Sequence, residues 1–134
     1  MALTLVDSNV VLDYLTADDE WVDWSATMLK QAVDEGGVAI NHVVFAEVSV
    51  RFTTLDAVDE ALPADYFQRL SLPWEAAFLA GQCFKRYRDR GGARTSPLPD
   101  FFIGAHAAVA GMALLTRDAR RYRFYFPKLT IIAP

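Results

Sequence analysis

Residues 98–122 read LPDFFIGAHAAVAGMALLTRDARRY, and this stretch decides the fold class of the chain. Its proline and first aspartate suit the first turn of a helix, and the alanine-rich segment behind them predicts a helix that runs to about Gly111. Residues 112–116 have the short apolar run of a buried strand, and Asp118 starts a second, short helix. A helix, a strand and a helix in close succession favour an α/β fold.

The rest of the chain alternates strands and helices in the same way. Short apolar runs at residues 2–6, 38–40 and 129–132 predict three further strands. Apolar spacing and glycine or proline boundaries predict helices over residues 8–15, from about 17 to Gly36-Gly37, and over 42–53, 56–61 and 74–90. Residues 93–99 are predicted to be an open loop. This order predicts a mostly parallel central sheet flanked by helices.

The composition describes one compact domain over residues 1–134. Apolar residues make up 53% of the chain and charged residues 22%, which is enough apolar material for a core. The single cysteine, Cys83, has no partner for an intramolecular disulfide, so a reducing cytoplasm is the expected compartment. No window reaches the roughly 18 apolar residues of a membrane span, and we expect neither membrane insertion nor secretion.

Four acidic residues lie at predicted strand ends or helix starts: Asp7, Glu47, Asp100 and Asp118. Ligands of open α/β sheets bind outside the carboxyl ends of the strands, so these carboxylates are expected to converge on one pocket. Their mutual repulsion should raise some of their pKa values and favour a bound cation. Oxygen ligands alone point to Mg²⁺ or Mn²⁺ rather than zinc. The alternative for each aspartate is a helix cap, a role that does not apply to Glu47.

The whole chain has a net charge of −4, but its basic residues concentrate in the second part. Residues 1–80 hold 3 Lys and Arg against 14 Asp and Glu, whereas residues 81–134 hold 10 against 3. Two basic clusters, at 85–94 and 117–123, are interleaved with aromatic residues, as in proteins that hold a nucleic-acid backbone. The candidate contacts are Arg86, Arg88, Arg120 and Arg121. The alternative is a solvated helix face with arginines lying over apolar surface.

Three motifs resemble those of the PIN-domain nucleases, and within them the VapC-type toxins of bacterial toxin–antitoxin pairs. They are LTLVDSNVVLDYL at residues 3–15, the glutamate in FAEV at 45–48, and the 98–122 stretch quoted above. The motifs occur in the family's order over nearly the whole chain. The resemblance implies a PIN-like three-layer fold.

The resemblance also implies a site and an activity. It assigns the family's metal-binding, catalytic acids to Asp7, Glu47, Asp100 and Asp118, with Thr116 and Ser8 as supporting residues behind them. Some family members lack the fourth acid, so its presence here favours an active enzyme. Asn9 departs from the small hydroxyl residue that the family often has there. The implied function is Mg²⁺- or Mn²⁺-dependent cleavage of RNA of the translation machinery.

The resemblance further implies partners, namely a second copy of the chain in a homodimer and a small antitoxin whose tail blocks the acidic site. Trp21 and Trp24 lie three residues apart on a predicted helix, with Met28 one turn further. This spacing suits an apolar partner segment. The alternative is that the three side chains belong to the core, as most aromatic stripes at helical spacing do.

Two rival functions use the same residues differently. VDSNVV partly matches the start of haloacid-dehalogenase-like phosphotransferases, with Asp7 as the nucleophile, but Asn9 replaces the second aspartate that this mechanism needs. The other rival is a non-catalytic module that binds RNA or protein and whose acids only cap helices. His42 and His106 are expected to be core or surface residues, and Cys83 lacks the neighbours of a nucleophile.

Overall fold

The computed structural model describes residues 3–92 and 97–134. Within those residues the strands are β1 (Thr4–Val6), β2 (Val38–Ile40), β3 (Phe67–Arg69), β4 (Ala113–Leu115) and β5 (Ile131–Ile132). The helices are α1 (Ser8–Thr16), α2 (Val22–Glu35), α3 (His42–Ser49), α4 (Leu55–Ala61), α5 (Trp74–Asp89), α6 (Leu98–Ala110) and α7 (Arg120–Tyr125).

The strands form one sheet in the order β3-β2-β1-β4-β5, and every neighbouring pair is parallel. All three residues of β1 and of β2 are buried. Burial of this kind is typical of parallel strands, because helices cover both faces of the sheet. The α/β class and the mostly parallel central sheet flanked by helices, both predicted from the sequence, are confirmed.

The chain order places a switch point beside β1. The strands β2 and β3 lie on one side of β1, and β4 and β5 lie on its other side. In open α/β sheets, the crevice at such a switch point is where ligands bind, outside the carboxyl ends of the strands. Here those ends belong to β1 and β4, which pair from Thr4 with Ala113 to Val6 with Leu115.

Close packing between α6 and α7 depends on Gly104. A Cβ added there would collide with the ring of Phe126 and would lie 3.0 Å from Tyr122. The absence of a side chain at Gly104 therefore allows this close approach. Gly111 ends α6 in the left-handed conformation (φ 69°), as the sequence predicted.

Several predicted boundaries were wrong. The strand β3 was missed, because only Phe67 of its three residues is buried and the run has no apolar pattern. The helix α7 begins at Arg120, not at Asp118, and α2 begins at Val22, after Trp21. The open loop predicted over 93–99 lies for the most part outside the described residues, and α6 already begins at Leu98. None of the helices in the described ranges is long and apolar enough to cross a membrane.

Candidate active site

Asp7 is the most constrained acid of the predicted set. It follows β1 directly, is 4% exposed, and caps α1 by accepting a 2.7 Å hydrogen bond on Oδ1 from the backbone N–H of Ser8. Its other oxygen, Oδ2, accepts from the hydroxyls of Thr116 (2.8 Å) and Tyr122 (2.9 Å). The capping role and the site role therefore coexist in one side chain.

Thr116 connects the ends of β1 and β4. While its hydroxyl donates to Asp7, its Oγ1 accepts from the backbone N–H of Asp118 at 3.2 Å and from the amide of Asn9 at 3.4 Å. The side-chain oxygen of Asn9 in turn accepts from the backbone N–H of Arg117 at 3.2 Å. Asn9 thus supports the site through its amide group, which supplies both a donor and an acceptor.

Glu47 lies on α3, and its side chain is oriented by a hydrogen bond from Ser8. The Ser8 hydroxyl donates to Oε1 of Glu47 at 2.9 Å, and Ser8 is itself the residue after Asp7. Asn41 begins the same helix by accepting from the backbone N–H of Val44 at 3.0 Å. Ser8 therefore lies between two of the predicted acids, in the supporting position that the resemblance implies.

Asp100 lies in the first turn of α6 and is engaged by an arginine. Nη1 of Arg121, on α7, is 2.7 Å from Oδ2 of Asp100. Asp118 is exposed in the loop between β4 and α7, and its backbone is tied to Thr116. An arginine that was predicted to contact RNA is therefore paired with one of the acids.

A single cleft of about 950 Å³ joins most of these residues. We call it the acidic cleft, and its acids are Asp7, Asp100 and Asp118. Glu47 does not line it but is connected to it through Ser8. As the side chains stand, no three acidic, histidine or cysteine residues among 3–92 and 97–134 are grouped closely enough to hold one metal ion.

The acids influence one another electrostatically. Burial raises the pKa of Asp7 to about 6, hydrogen bonds from Thr116 and Tyr122 oppose this, and the negative charges of Asp100 and Glu47 add to it. Burial likewise raises the pKa values of Glu47 and Asp100, the latter against the opposing effect of Arg121. Carboxylates that destabilise one another in this way favour a neutralising cation.

The donor chemistry of the acidic cleft fits a hard divalent cation. Carboxylate and hydroxyl oxygens line the cleft, and Mg²⁺ and Mn²⁺ prefer oxygen ligands. The tight pairing of Arg121 with Asp100 uses one of those oxygens. Arg121 would therefore compete with a cation for that oxygen.

The predicted basic residues divide into two groups. Arg120 and Arg121 line the acidic cleft, whereas Arg86 and Arg88 do not. Arg86 lies over the ring of Tyr125 (5.3 Å to the centroid) and Arg88 over that of Phe84 (5.9 Å). Their contact with RNA stays a prediction, although their packing matches the alternative of arginines over apolar surface. Arg94, in the same sequence cluster, lies outside the described residues.

Two residues that support the site were not predicted from the sequence. Tyr122 was seen only as an aromatic residue in a basic cluster, yet its buried hydroxyl is a donor to Asp7. Asp13 is 3% exposed and makes a two-point ion pair with Arg117 (2.8 and 3.0 Å) while accepting from Ser25 at 2.9 Å. Asp118 belongs to the same loop as Arg117, and this ion pair fastens that loop to α1 and, through Ser25, to α2. No local pattern in the sequence marks Asp13, because its partner Arg117 is 104 residues away.

The residues predicted to bind a partner are half-buried. Trp24 and Met28 pack against the core, and Trp21 contacts Trp24 edge-on at 6.2 Å. The guanidinium of Arg117 lies 5.4 Å from the Trp21 ring. A partner contact through these residues stays a prediction, because each of them also takes part in the packing of the chain itself.

One histidine lies in the core and the other on the surface, and the cysteine is buried. His106 is 2% exposed, burial lowers its pKa, and its Nδ1 lies 3.1 Å from the amide of Asn41. His42 is exposed at the start of α3. Cys83 is buried, and burial raises the pKa of its thiol, so that it stays protonated at neutral pH.

Solved structures with this fold come from bacterial VapBC complexes. VapBC2 from Rickettsia felis, bound to a DNA fragment from its promoter, matches with 14% identity, a TM-score of 0.74 and 98% of both chains. VapBC-1 from nontypeable Haemophilus influenzae matches with 14% identity and a TM-score of 0.72. The match covers 98% of this chain and 97% of that one. VapBC-5 from Mycobacterium tuberculosis, a member of the VapBC family of toxin–antitoxin systems, matches with 20% identity and a TM-score of 0.59. The match covers 99% of this chain and 98% of that one.

The family comparison covers almost the whole chain. No curated protein matches the sequence. The family model described as the PIN domain matches residues 4–127, a range that contains all four predicted acids. The chain therefore belongs to the PIN-domain family.

Proposed function

We propose that this protein is a metal-dependent endoribonuclease that hydrolyses RNA phosphodiester bonds in the acidic cleft. The observation that carries the proposal is the cleft itself, where Asp7, Asp100 and Asp118 line one space at the switch point of the sheet. Glu47 lies near enough for its charge to raise the pKa of Asp7. Membership of the PIN-domain family supports the same chemistry.

The cation would be Mg²⁺ or Mn²⁺, held by Asp7, Glu47, Asp100 and Asp118. When bound, such an ion would activate the attacking water and stabilise the charge that develops on the phosphate. The chain contributes by holding the ligands in place. Thr116 and Tyr122 fix one oxygen of Asp7, and Ser8 orients Glu47.

Arg121 has a second part in this proposal. Its guanidinium neutralises Asp100 in the absence of other positive charge. A cation at the acids would release Arg121, which could then pair with a phosphate of the RNA, as Arg120 beside it could. The arginine would thus pass from an acid of the site to the substrate.

The test is RNA cleavage by matched variants. Wild type should cleave single-stranded RNA with Mg²⁺ or Mn²⁺ and should stop when EDTA is added. Asp100→Asn keeps the shape of the side chain but removes its charge, so cleavage should fall to background while the fold is retained. Asp23→Asn, an exposed acid on α2, should cleave like wild type. Equal cleavage by wild type and Asp100→Asn would overturn the proposal.

We further propose that the protein acts in the cytoplasm as the toxin of a toxin–antitoxin pair, as a homodimer whose RNA substrate belongs to the translation machinery. The similar VapBC structures and the charge of the cleft support this role. An antitoxin arginine or lysine would find several carboxylates in the cleft, and Trp21, Trp24 and Met28 would receive its apolar part.

The partner proposal is tested by isolating the protein from its native cell. We expect a small protein to copurify, and gel filtration with mass analysis to give a dimer of this chain. Expression without that partner should arrest growth, whereas Asp100→Asn should be harmless. A monomer that copurifies with no small protein and is harmless while it still cleaves RNA would leave a housekeeping nuclease instead.

A further inference from the structure

One wall of the acidic cleft carries an exposed aromatic ring. Phe124, on α7, lines the cleft and is 48% exposed, whereas Tyr122 and Tyr125 beside it are buried. Its ring is fixed edge-on against Tyr125, with 4.9 Å between centroids. Among the described aromatic residues that line the cleft, Phe124 is the exposed one, and it is held by a rigid neighbour.

An arginine covers this ring. The guanidinium carbon of Arg90 lies 4.3 Å from the centroid of Phe124, closer than in any other arginine–ring pair of the described residues. Arg90 caps the end of α5, where its backbone N–H is bonded to the carbonyls of Arg86 and Arg88. No carboxylate in residues 3–92 or 97–134 forms a salt bridge with it. The pair therefore combines a flat π surface with an available positive charge.

The acidic cleft has room for more than a phosphate. Its volume of about 950 Å³ is at the upper end of the range found for small-molecule sites. Nucleobases stack on aromatic rings and on guanidinium planes, and both surfaces are present here. A base-paired strand cannot use such a surface, because its bases are already stacked and turned inward.

We propose that Phe124 and Arg90 form a stacking subsite for an unpaired nucleobase of the RNA. This inference rests on the proposed ribonuclease function and adds the form of the substrate, a single strand with at least one base free to turn toward α7. Arg90 would supply a second contact, to the same base or to its phosphate. The subsite would bind RNA without the metal, because neither residue belongs to the acid cluster.

The test is binding of RNA in EDTA, where cleavage is prevented. A labelled single-stranded oligonucleotide and the same strand annealed to its complement are titrated, with fluorescence anisotropy as the readout. Phe124→Leu keeps an apolar side chain against Tyr125 but removes the ring, and Phe124→Trp keeps a ring. The control is Phe78→Ala, which removes a 70% exposed phenylalanine of α5 that does not line the cleft.

We expect Phe124→Leu to weaken binding of the single strand by about 5- to 150-fold, as the loss of one stacked base does. Binding of the duplex should change little, and Phe124→Trp and Phe78→Ala should match wild type with both ligands. Unchanged binding of the single strand by Phe124→Leu would overturn the subsite. An equal loss for single strand and duplex, or wild type that fails to bind the single strand, would overturn it as well.

This experiment separates the subsite from the nuclease proposal. Selective loss of single-strand binding in Phe124→Leu would uphold the subsite even if wild type cleaved no RNA. Conversely, cleavage that depends on Asp100, together with unchanged binding by Phe124→Leu, would uphold the nuclease and overturn the subsite.

Discussion

The hydroxyl of Thr116 has a larger effect on the acidic cleft than its size suggests. It donates to Asp7 and accepts from the backbone of Asp118, so it fixes two acids with one buried group. We expect Thr116→Val to lower the free energy of unfolding by about 1–3 kcal/mol, since the buried carboxylate of Asp7 loses one of its donors and the backbone N–H of Asp118 loses its acceptor. The same change should reduce RNA cleavage, whereas Thr116→Ser should retain most of it. Denaturant unfolding and cleavage rates measure both effects, and a fully active Thr116→Val would contradict the role.

Asp7 should make stability depend on pH. Its pKa rises from 3.8 to about 6 on folding, so the folded state binds the proton more tightly than the unfolded state. The stabilisation is therefore complete below about pH 4 and is lost as pH rises toward 6, by roughly 3 kcal/mol in total. Asp7→Asn cannot ionise and lacks this loss.

The difference in unfolding free energy between Asp7→Asn and wild type isolates that effect from the other acids. Measured in EDTA by denaturant unfolding, it should shift in favour of Asp7→Asn between pH 4 and pH 7. A difference that stays constant over this range would contradict the raised pKa.

Single residues were predictable where a local pattern marked them. Asp7 directly follows a buried strand, and Asp100 opens a helix, so both could be placed at one edge of the sheet from the sequence. The bond from Tyr122 to Asp7 joins residues 115 positions apart, and no local pattern predicts it. Arg121 was expected to face RNA, but its pairing with Asp100 depends on how α7 packs against α6.

At the scale of elements, the contact between α6 and α7 sets the position of Tyr122. We expect Gly104→Ala to destabilise the fold by about 1–3 kcal/mol, because the added methyl group meets Phe126 and Tyr122. Displacement of Tyr122 should also weaken its bond to Asp7 and reduce cleavage.

The matched control for that substitution is Gly81→Ala. Gly81 lies in the middle of α5 on its exposed side, and a Cβ there meets nothing within 4 Å. This change should raise stability by up to about 1 kcal/mol through helix propensity and leave cleavage unchanged. Thermal melting distinguishes the two variants, and equal effects would show that packing against α7 is not the cause.

The loop between β4 and α7 is fastened by the buried pair of Asp13 and Arg117. We expect Asp13→Asn to lower stability by about 3 kcal/mol, near the low end for a broken buried ion pair because Arg117 is partly exposed. Cleavage should fall more than RNA binding does, since the change moves Asp118 and not the arginines of the cleft.

The control is Asp59→Asn, which breaks an exposed pair with Arg69 and should change stability by less than about 1 kcal/mol. Parallel measurement of unfolding, RNA affinity and cleavage rate checks the prediction. A variant Asp13→Asn that cleaves RNA at the wild-type rate would remove the pair from the account.

Most elements could be predicted, because the spacing of apolar residues and the glycine or proline boundaries indicate the same helices and strands over long stretches. The helix from Trp74 and the helix that ends at Gly111 are examples. The strand β3 could not be predicted, because Phe67 is its one buried residue and its pairing with β2 depends on the completed sheet. The late start of α7 has a similar cause, since Asp118 is held by Thr116 in the loop and does not cap the helix.

For the whole molecule, the fold brings the two differently charged parts of the chain together. The acidic first part contributes Asp7 to the acidic cleft, with Glu47 connected to the cleft through Ser8, and the basic second part contributes Arg90, Arg120 and Arg121. A net charge of −4 therefore conceals a cleft in which carboxylates lie beside arginines. This arrangement was foreseen from the sequence in outline, but the arginines that line the cleft were identified only in part.

If the four acids act together as one site for a divalent cation, loss of any one charge should weaken binding of the ion. The most direct measurement is calorimetric titration of Mn²⁺ into wild type, Asp7→Asn, Glu47→Gln, Asp100→Asn and the control Asp23→Asn, with folding checked by circular dichroism. Wild type and the control should bind Mn²⁺ alike, and each amide variant of the site should bind at least about tenfold more weakly, because a charged ligand is lost. Wild type that binds no Mn²⁺, or site variants that bind it as wild type does, would contradict the account.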